Sequence, residues 1–525
     1  RQMCIRDSYM SEAEASVNKR RSERRRTGIV LSYVYTVAQV VVNLLYVPIL
    51  LRGIGDSEYG LYQIIGSVMA YILLMNSTFS GGVTRFYCKY YSEGDILMME
   101  NTLAISRRIY NYAAVVSIGV GAIAIVAVRF VYAGVLTAFQ VLESSLMLAV
   151  LIANLIVTMH NTIDVAVINA NERFSFLKAT QIATVVVQPI LIVLLIQWQP
   201  YAISIVCVQF GTNIICFVIQ RLYRSKVLGA RIKMHSRDQE LMKAILRFSS
   251  GILLVLVADQ VFWRTNQLII GFFYGTSVVA VYGVAAQVYA AYGPMGTAVS
   301  SVFMPHISRL YYSDRTGRAI SDLFKRVGRI ATYPLLLVLL GFLVFGKEFI
   351  AMWAGDGYQD AYLIALLVMV PYTVDLMQNL GLTIMQVENK YAFRGVVYAI
   401  LAAANIAAVF IISPAYGPIG AAACTGLLML VGNGLVMNVF YAKVMKLDIL
   451  GYWKEIARVA IPLCLFGCAF LAAKGAFDIS VSGWLDFSLW IVAFGILYTI
   501  VAYLFSMNRY EKGILLGLVK RLKKS

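Results

Sequence analysis

Long apolar stretches separated by short polar segments run through the whole chain of 525 residues. A helix that spans a bilayer needs about 20 consecutive apolar residues. Fourteen stretches approach or exceed that length, and they lie at residues 28–50, 59–82, 107–131, 144–167, 177–198, 201–221, 245–271, 276–303, 328–350, 361–385, 395–413, 417–440, 456–475 and 484–506. The pattern predicts an all-α integral membrane protein with 14 transmembrane helices.

The basic residues are distributed unevenly between the two sides that this pattern defines. With the N-terminus placed inside, 40 of the 45 Lys and Arg residues fall in inside segments and 4 in outside segments, and Arg264 lies within a span. Positive charge favours cytoplasmic loops, so both termini are predicted to be cytoplasmic. The formal net charge of +18 therefore indicates orientation in a membrane, and no nucleic-acid partner is expected.

Three short motifs recur at nearly one offset, in the same loops of a six-helix unit. The pairs are 55–62 with 275–282, 90–92 with 311–313, and 171–176 with 388–393. Because six is an even number, two such units share one orientation and are related by an axis along the membrane normal. The repeat predicts two six-helix lobes, with the last two helices outside the repeat.

The predicted organisation follows from the spans and the repeat. Its segments are a basic cytoplasmic N-terminal tail at 1–26, an N-lobe at 27–222, a cytoplasmic inter-lobe loop at 223–244, a C-lobe at 245–440, two further helices at 441–506 and a basic cytoplasmic tail at 507–525. Two facing lobes are typical of transporters, in which substrate crosses between the lobes by alternating access. Pro294 could serve as a hinge in that motion or could be a static kink. Met10 is a plausible start, and whether residues 1–9 are native is left open.

One stretch carries a family resemblance. Residues 46–62 read YVPILLRGIGDSEYGLY, which resembles the first-loop signature P-x-x-x-R-x-L-G-x-x-x-Y-G-x-Y of bacterial polysaccharide flippases. Ile54 replaces the usual Leu. With the 6+6+2 plan, the chain resembles the oligosaccharide-lipid flippase branch of the multidrug/oligosaccharidyl-lipid/polysaccharide exporter superfamily, from about Arg24 to the C-terminus.

The resemblance implies a substrate, a membrane and partners. The substrate would be an undecaprenyl-pyrophosphate-linked oligosaccharide, moved from the cytoplasmic to the outer leaflet of the bacterial plasma membrane for capsule, O-antigen or exopolysaccharide synthesis. Membrane lipids would surround the protein, and the polymerase and glycosyltransferases of the same pathway are possible partners. Neither the glycan nor the oligomeric state follows from the motif.

Arg264 is the first candidate for substrate binding. A charge within hydrocarbon is costly, and such residues usually face a protein interior or an aqueous cavity. Gln260, Arg264 and Gln267 are spaced i, i+4, i+7, which places them on one face of a helix, and a guanidinium pairs well with a pyrophosphate. An ion pair with Asp259, or snorkelling of Arg264 to the outer interface, would explain the same charge structurally.

The other candidates are weaker. Arg85 follows the second span and could meet the pyrophosphate at the cytoplasmic entrance, or could simply anchor the helix end. Gln39 and Asn43, at i, i+4 on the first span, would add polar groups to the cavity. Acidic residues within or near spans could bind H⁺ or Na⁺ for coupling, and these are Asp259, Asp375 and Asp164; Asp164 could instead be a solvated residue at a helix end.

The sequence offers no catalytic or metal constellation. The three histidines are far apart, the seven cysteines form no CxxC motif, and no GxxxxGK[ST] loop for ATP phosphates is present. We therefore expect no enzyme activity, no cofactor and no metal. Two alternatives remain open: an ion-coupled multidrug antiporter of the same superfamily, and a membrane polysaccharide polymerase or ligase, which the short outer loops disfavour.

Overall fold

A computed structural model describes the backbone of residues 2–301, 303, 307, 310–311, 317–388, 390–479, 481 and 483–513. Side chains are described for the same residues except 2–26, 28–30, 33, 75, 77, 248, 250–252, 254, 298, 299 and 301. The repeat motif at 312–313, Asn389 and the basic end of the tail at 514–525 lie outside the described residues.

The described chain is nearly all helical and contains no strand. The α-helices are α1 Gln2–Glu93, α2 Ile96–Val131, α3 Ala138–Ala170, α4 Phe174–Ile196, α5 Ala202–Leu222, α6 Gln239–Tyr274, α7 Thr276–Ser301, α8 Arg318–Trp353, α9 Asp360–Met377, α10 Asn379–Val387, α11 Ala392–Met429, α12 Met437–Lys443, α13 Ile449–Ala476 and α14 Trp484–Val501. Short π-helical turns extend three of them, at Tyr223–Val227, Leu430–Val436 and Ala502–Ser506, and a 3₁₀ turn precedes α9 at Asp356–Tyr358.

Eleven helices of the described residues are long and apolar enough to cross a membrane. Two of them, Val34–Glu93 with 60 residues and Ala392–Lys443 with 52, would measure about 90 and 78 Å at 1.5 Å per residue, against a hydrocarbon core of about 30 Å. Non-helical glycines interrupt both, Gly55 in the first and Gly417 in the second. The chain is therefore a multi-pass membrane protein of helices, and the total of 14 spans stays a prediction.

The chain divides into two compact units. The first comprises Arg1–Gln260 with Gly275–Ser277, and the second comprises Val261–Tyr274 with Val278–Ser525. The two helices that the repeat does not include, α13 and α14, belong to the second unit. The predicted domain boundaries, which begin the C-lobe at residue 245, stay predictions.

Two glycines that the predicted repeat aligns share one backbone conformation. Gly55 has φ 78° and Gly275 has φ 79°, a left-handed conformation that glycine adopts without steric cost. These two glycines are the pair that the repeat matched at an offset of 220. Gly94, directly after α1, and Gly317, directly before α8, have φ 72° and 68°.

The signature motif of residues 46–62 makes tertiary contacts within the first unit. Gly60 packs directly on the backbone of Thr276, where a Cβ on Gly60 would come within 1.8 Å of the Thr276 carbonyl oxygen. Ser57 Oγ lies 2.9 Å from Thr276 Oγ1. The buried Tyr59 hydroxyl accepts from Gln63 Nε2 at 2.8 Å, and the Tyr62 hydroxyl accepts from Gln209 Nε2 at 3.0 Å. The residues that mark the motif are thus engaged in tertiary packing.

Candidate functional site

Arg264 lies on α6 with an exposed side chain. Gln267, one turn further on, is buried, with 1% of its surface exposed, so the predicted polar face does not stay open along its length. Asp259 and Gln260 are half-buried and belong to the first unit, whereas Arg264 and Gln267 belong to the second.

A buried polar network anchors α6 on the side opposite Arg264. Asn266 donates from Nδ2 to the Tyr282 hydroxyl at 2.8 Å and to Thr425 Oγ1 at 2.6 Å. Asn405 on α11 donates from Nδ2 to Asn266 Oδ1 at 2.9 Å. Asn266 follows Arg264 by two residues, about 200° around the helix. The network therefore fixes the rotation of α6 and with it the direction in which Arg264 points.

Aromatic side chains surround the same turn of α6. The Trp263 ring lies 5.6 Å from the Tyr289 ring and 5.1 Å from the Tyr372 ring, between centroids. Tyr289 is buried, while Trp263 and Tyr372 are half-buried. Half-exposed aromatic faces beside a cation can stack on a sugar ring while the cation binds an anion. Composition alone could not have selected these among 33 tyrosines and 26 phenylalanines.

The remaining polar candidates lie in the first unit. Arg85, Gln39 and Asn43 are all exposed on α1. Beside Arg85, Gly82 packs against α6, where a Cβ would come within 2.9 Å of Ser249 Oγ. Their assignment to substrate stays a prediction.

The interpretation of Asp164 as a solvated residue at a helix end is wrong. Asp164 is buried, with 3% of its surface exposed, and is ion-paired with Arg224, which is also buried. Arg224 further donates to the Ala230 carbonyl at 2.6 Å. A buried carboxylate with a fixed cationic partner is more often structural than a site of exchangeable ions. The sequence counted Arg224 among the cytoplasmic charges and so missed the pair.

Asp375, the deeper acidic candidate, lies 3.9 Å from the Arg394 guanidinium, and both side chains are largely buried. Arg394 also lies 4.6 Å from the centroid of the Tyr398 ring and donates to the Tyr398 hydroxyl at 3.3 Å. This cluster ties α9 to α11. Coupling through Asp375 stays a prediction, which would require proton or cation binding beside a permanent positive charge.

A pair of acidic residues that the sequence did not single out lies in the first unit. Glu58 on α1 and Glu143 on α3 both accept hydrogen bonds from the first turn of α5. Glu58 is part of the signature motif, and Glu143 was placed in an outer loop. Their approach depends on tertiary structure, and no local pattern connects two residues 85 positions apart.

Among the described residues, no group of three or more His, Cys, Asp or Glu side chains could hold a metal ion.

Comparison with known proteins gives a consistent picture. A family model described as polysaccharide biosynthesis protein matches residues 49–363. No curated protein matches the chain in sequence. Among solved structures, the lipid II flippase MurJ in an inward closed conformation is similar, with a TM-score of 0.70 and 13% identity over 91% of this chain and 98% of that one.

Multidrug transporters share the fold as well. An inward-facing MATE family transporter of the MOP superfamily gives a TM-score of 0.62 at 13% identity, covering 79% of this chain and 96% of that one. The Vibrio cholerae MATE transporter VcmN in its bent form gives 0.52 at 10% identity, covering 82% and 99%. At these identities the structures show a shared fold. The predicted fold class, an all-α integral membrane protein, is confirmed, while the count of 14 helices stays a prediction.

Proposed function

Because the chain belongs to the family of polysaccharide biosynthesis proteins, we propose that it is a flippase for undecaprenyl-pyrophosphate-linked oligosaccharides. It would move them across the bacterial plasma membrane by alternating access, for capsule, O-antigen or exopolysaccharide synthesis. The chain would carry out no bond-making step, and an H⁺ or Na⁺ gradient would supply the energy. Both termini would lie in the cytoplasm, as the distribution of Lys and Arg predicts.

The observation that carries this proposal is the exposed Arg264 on α6, a helix that the sequence predicts to span the membrane, beside half-buried aromatic rings. Arg264 would bind the pyrophosphate with two parallel hydrogen bonds, because its planar fork matches phosphate geometry. Trp263 and Tyr372 would stack on the first sugars. Gln260, Gln267, Gln39 and Asn43 would contribute polar groups along the path, and Arg85 would guide entry from the cytoplasm.

Replacing Arg264 with alanine should lower the initial rate of transport at least about tenfold. A hydrogen bond to a charged group contributes roughly 1.5–3 kcal/mol, and about 1.4 kcal/mol corresponds to a factor of ten. The transport rate of Arg264→Lys should lie between those of the wild type and Arg264→Ala. Lysine keeps the positive charge but lacks the planar guanidinium that forms two parallel hydrogen bonds. The measurement is translocation of a fluorescent undecaprenyl-pyrophosphate oligosaccharide in proteoliposomes.

Arg129→Ala is the matched control, because Arg129 is exposed at the last turn of α2 in the other unit. It should keep the native rate. A native rate for Arg264→Ala would remove the anion site from the proposal. Efflux of cationic dyes without oligosaccharide transport would favour the multidrug antiporter instead.

Trp263→Ala should weaken the apparent affinity for the oligosaccharide several-fold while Trp263→Phe has a milder effect. Stacking of an aromatic ring on a flat ligand is worth about 1–3 kcal/mol in nucleic-acid systems, and a sugar face is comparable in area. The concentration dependence of transport gives KM for each variant. Trp484→Ala is the control, because Trp484 is exposed at the start of α14; an equal rise in KM for both would argue against stacking at Trp263.

A further inference from the structure

Two carboxyl groups meet at the start of α5. Glu58 Oε2 accepts from the Ala202 N–H at 2.9 Å, and Glu143 Oε1 accepts from the Ile203 N–H at 3.0 Å. The side chain of the N-cap residue, Tyr201, does not cap the helix. The free N–H groups of a helix N-terminus favour negative charge. One ionised carboxylate would satisfy that preference, yet the structure places two carboxyl groups there.

The two carboxyl groups accept from consecutive N–H groups, those of Ala202 and Ile203, which brings them near enough for one to hydrogen-bond the other when it is protonated. Two carboxylates cannot do so, because each is then an acceptor only. Like charges in contact disfavour ionisation of both groups, so the contact favours a state in which one proton is shared between them.

An unpartnered oxygen points to the same conclusion. Glu143 is buried, with 3% of its surface exposed, and its Oε2 atom has no hydrogen-bond donor among the described residues. A buried acceptor without a donor costs roughly 1–3 kcal/mol. A proton held between the two carboxyl groups supplies the missing donor.

Neither glutamate is ion-paired with a cation among the described residues. From α3, Gln140 Nε2 donates to Ser57 Oγ at 2.8 Å, and Ser57 lies beside Thr276, so these groups satisfy one another. The ion pairs among the described residues include neither Glu58 nor Glu143. The other charged residues of this part of α1 are Asp56 and Arg52, and Arg52 lines a pocket with Pro200 just before α5.

We propose that Glu58 and Glu143 form a proton-binding site that holds one proton between their carboxyl groups at neutral pH. The predicted topology places this site at the outer end of the first unit, where it can exchange protons with the outer solution. A metal cation is disfavoured there, because two of the carboxylate oxygens already face N–H donors at the positive end of α5.

Proton exchange at this site alters the contact between three helices. With the proton bound, α1 and α3 are joined through the carboxyl pair and both are held to α5. Loss of the proton leaves two negative charges in contact, which repel. The site is thus suited to couple the outer proton concentration to the packing of the first unit. Its use as the energy input for transport rests on the proposed flippase function, whereas proton binding does not.

The experiment is infrared difference spectroscopy of the full chain in nanodiscs, titrated in H₂O and D₂O. A free glutamic acid titrates near about pH 4.3 and is ionised at neutral pH. We expect the wild-type protein to show one carboxylic acid per molecule at neutral pH. That signal should be lost at neutral pH in Glu143→Gln and in Glu58→Gln. Each glutamine keeps the side-chain shape and can donate to the carboxylate that remains.

Glu348→Gln is the matched control, because Glu348 is a glutamate near the end of a span in the second unit whose partner is Lys474, with Oε1 and Nζ 2.6 Å apart. It should leave the neutral-pH signal unchanged. A wild-type spectrum without a carboxylic acid at neutral pH overturns the proposal, and so does a folded Glu58 or Glu143 variant that keeps the full signal. If Glu143→Gln fails to fold, the Glu58→Gln spectrum decides. A signal that sodium displaces would show a cation site and would also overturn the proposal.

Transport is measured separately on the same variants. If the oligosaccharide is not transported but the infrared signal behaves as expected, the proton site stands and the proposed function fails. If the wild type transports the oligosaccharide, and the dependence of transport on a proton gradient falls at least tenfold in both Glu58→Gln and Glu143→Gln, the site is the coupling site.

Discussion

Gly60→Ala is expected to be among the most destabilising single changes in the first unit. A Cβ at this position would lie 1.8 Å from the Thr276 carbonyl oxygen and 2.5 Å from its carbonyl carbon. Both atoms belong to backbone, which cannot rotate away as a flexible side chain would. Overpacking costs about 1–3 kcal/mol where side chains can adjust, and more where they cannot. We therefore expect a cost of at least about 3 kcal/mol.

Gly66→Ala is the matched control, since the same substitution six residues further along α1 meets nothing within 4 Å. It should raise stability slightly, because glycine within a helix is about 0.5–1 kcal/mol less favourable than alanine. The melting temperature in detergent, followed by intrinsic fluorescence, checks both variants. Opposite shifts are expected, and a Gly60→Ala protein as stable as Gly66→Ala would contradict the close packing on Thr276.

The sequence motif marks Gly60, but only the fold explains why a glycine stands there. The sequence identified Tyr59-Gly60 as part of a family signature, but gave no physical reason for the glycine. The reason is Thr276, which is 216 positions away and contacts Gly60 only in the folded unit. The sequence repeat pointed to the same region, because it aligned Gly55 with Gly275, the residue before Thr276. Both glycines have a left-handed backbone.

Hydrophobic periodicity predicted an all-helical membrane protein, because every span must be long and apolar whatever surrounds it. It predicted the faces of the helices less well. Gln267 shares a predicted face with Arg264, yet it is buried, since the packing of neighbouring helices decides which polar residues are covered. The pairing of Asp164 with Arg224 likewise joins residues from separate segments: the sequence placed Asp164 in the fourth span and counted Arg224 among the cytoplasmic loop charges.

The cytoplasmic end of α8, by the predicted topology, carries a buried charge network. Arg329, with 6% of its surface exposed, donates from Nε to Glu511 Oε1 at 2.8 Å and from Nη2 to Glu511 Oε2 at 3.0 Å. Its Nη1 donates to Glu455 Oε2 at 2.7 Å. The Tyr333 hydroxyl and the Asn508 N–H also donate to Glu511, each at 2.9 Å. The network holds the segment after α14 against α8 and α13.

Glu511 is ionised in this network over a wide pH range. Burial alone would raise the pKa of its carboxyl group, but the hydrogen bonds from Arg329, the Asn508 N–H and Tyr333 outweigh burial and lower that pKa below its usual value. A lowered pKa in the folded state means that the contribution to stability is complete above the unfolded pKa of about 4.3. It is lost as the pH falls through the folded-state pKa. The stability difference between wild type and Glu511→Gln should therefore be full at neutral pH and disappear in acid.

Arg329→Met should cost about 3–5 kcal/mol, because it leaves the Glu511 carboxylate buried without its cation. The loss of stability should be concentrated in the segment that the network holds, so hydrogen exchange of residues 507–513 should accelerate along with the fall in melting temperature.

Arg458→Met is the control: Arg458 also pairs with Glu455, but its side chain is 61% exposed, and exposed pairs contribute about 0–1 kcal/mol. Adding Glu511→Leu to Arg329→Met should restore much of the loss, since the orphaned charge is then gone. Equal stability of Arg329→Met and Arg458→Met would show that the network does not fasten this segment, and that the C-terminal helices are held by apolar packing alone.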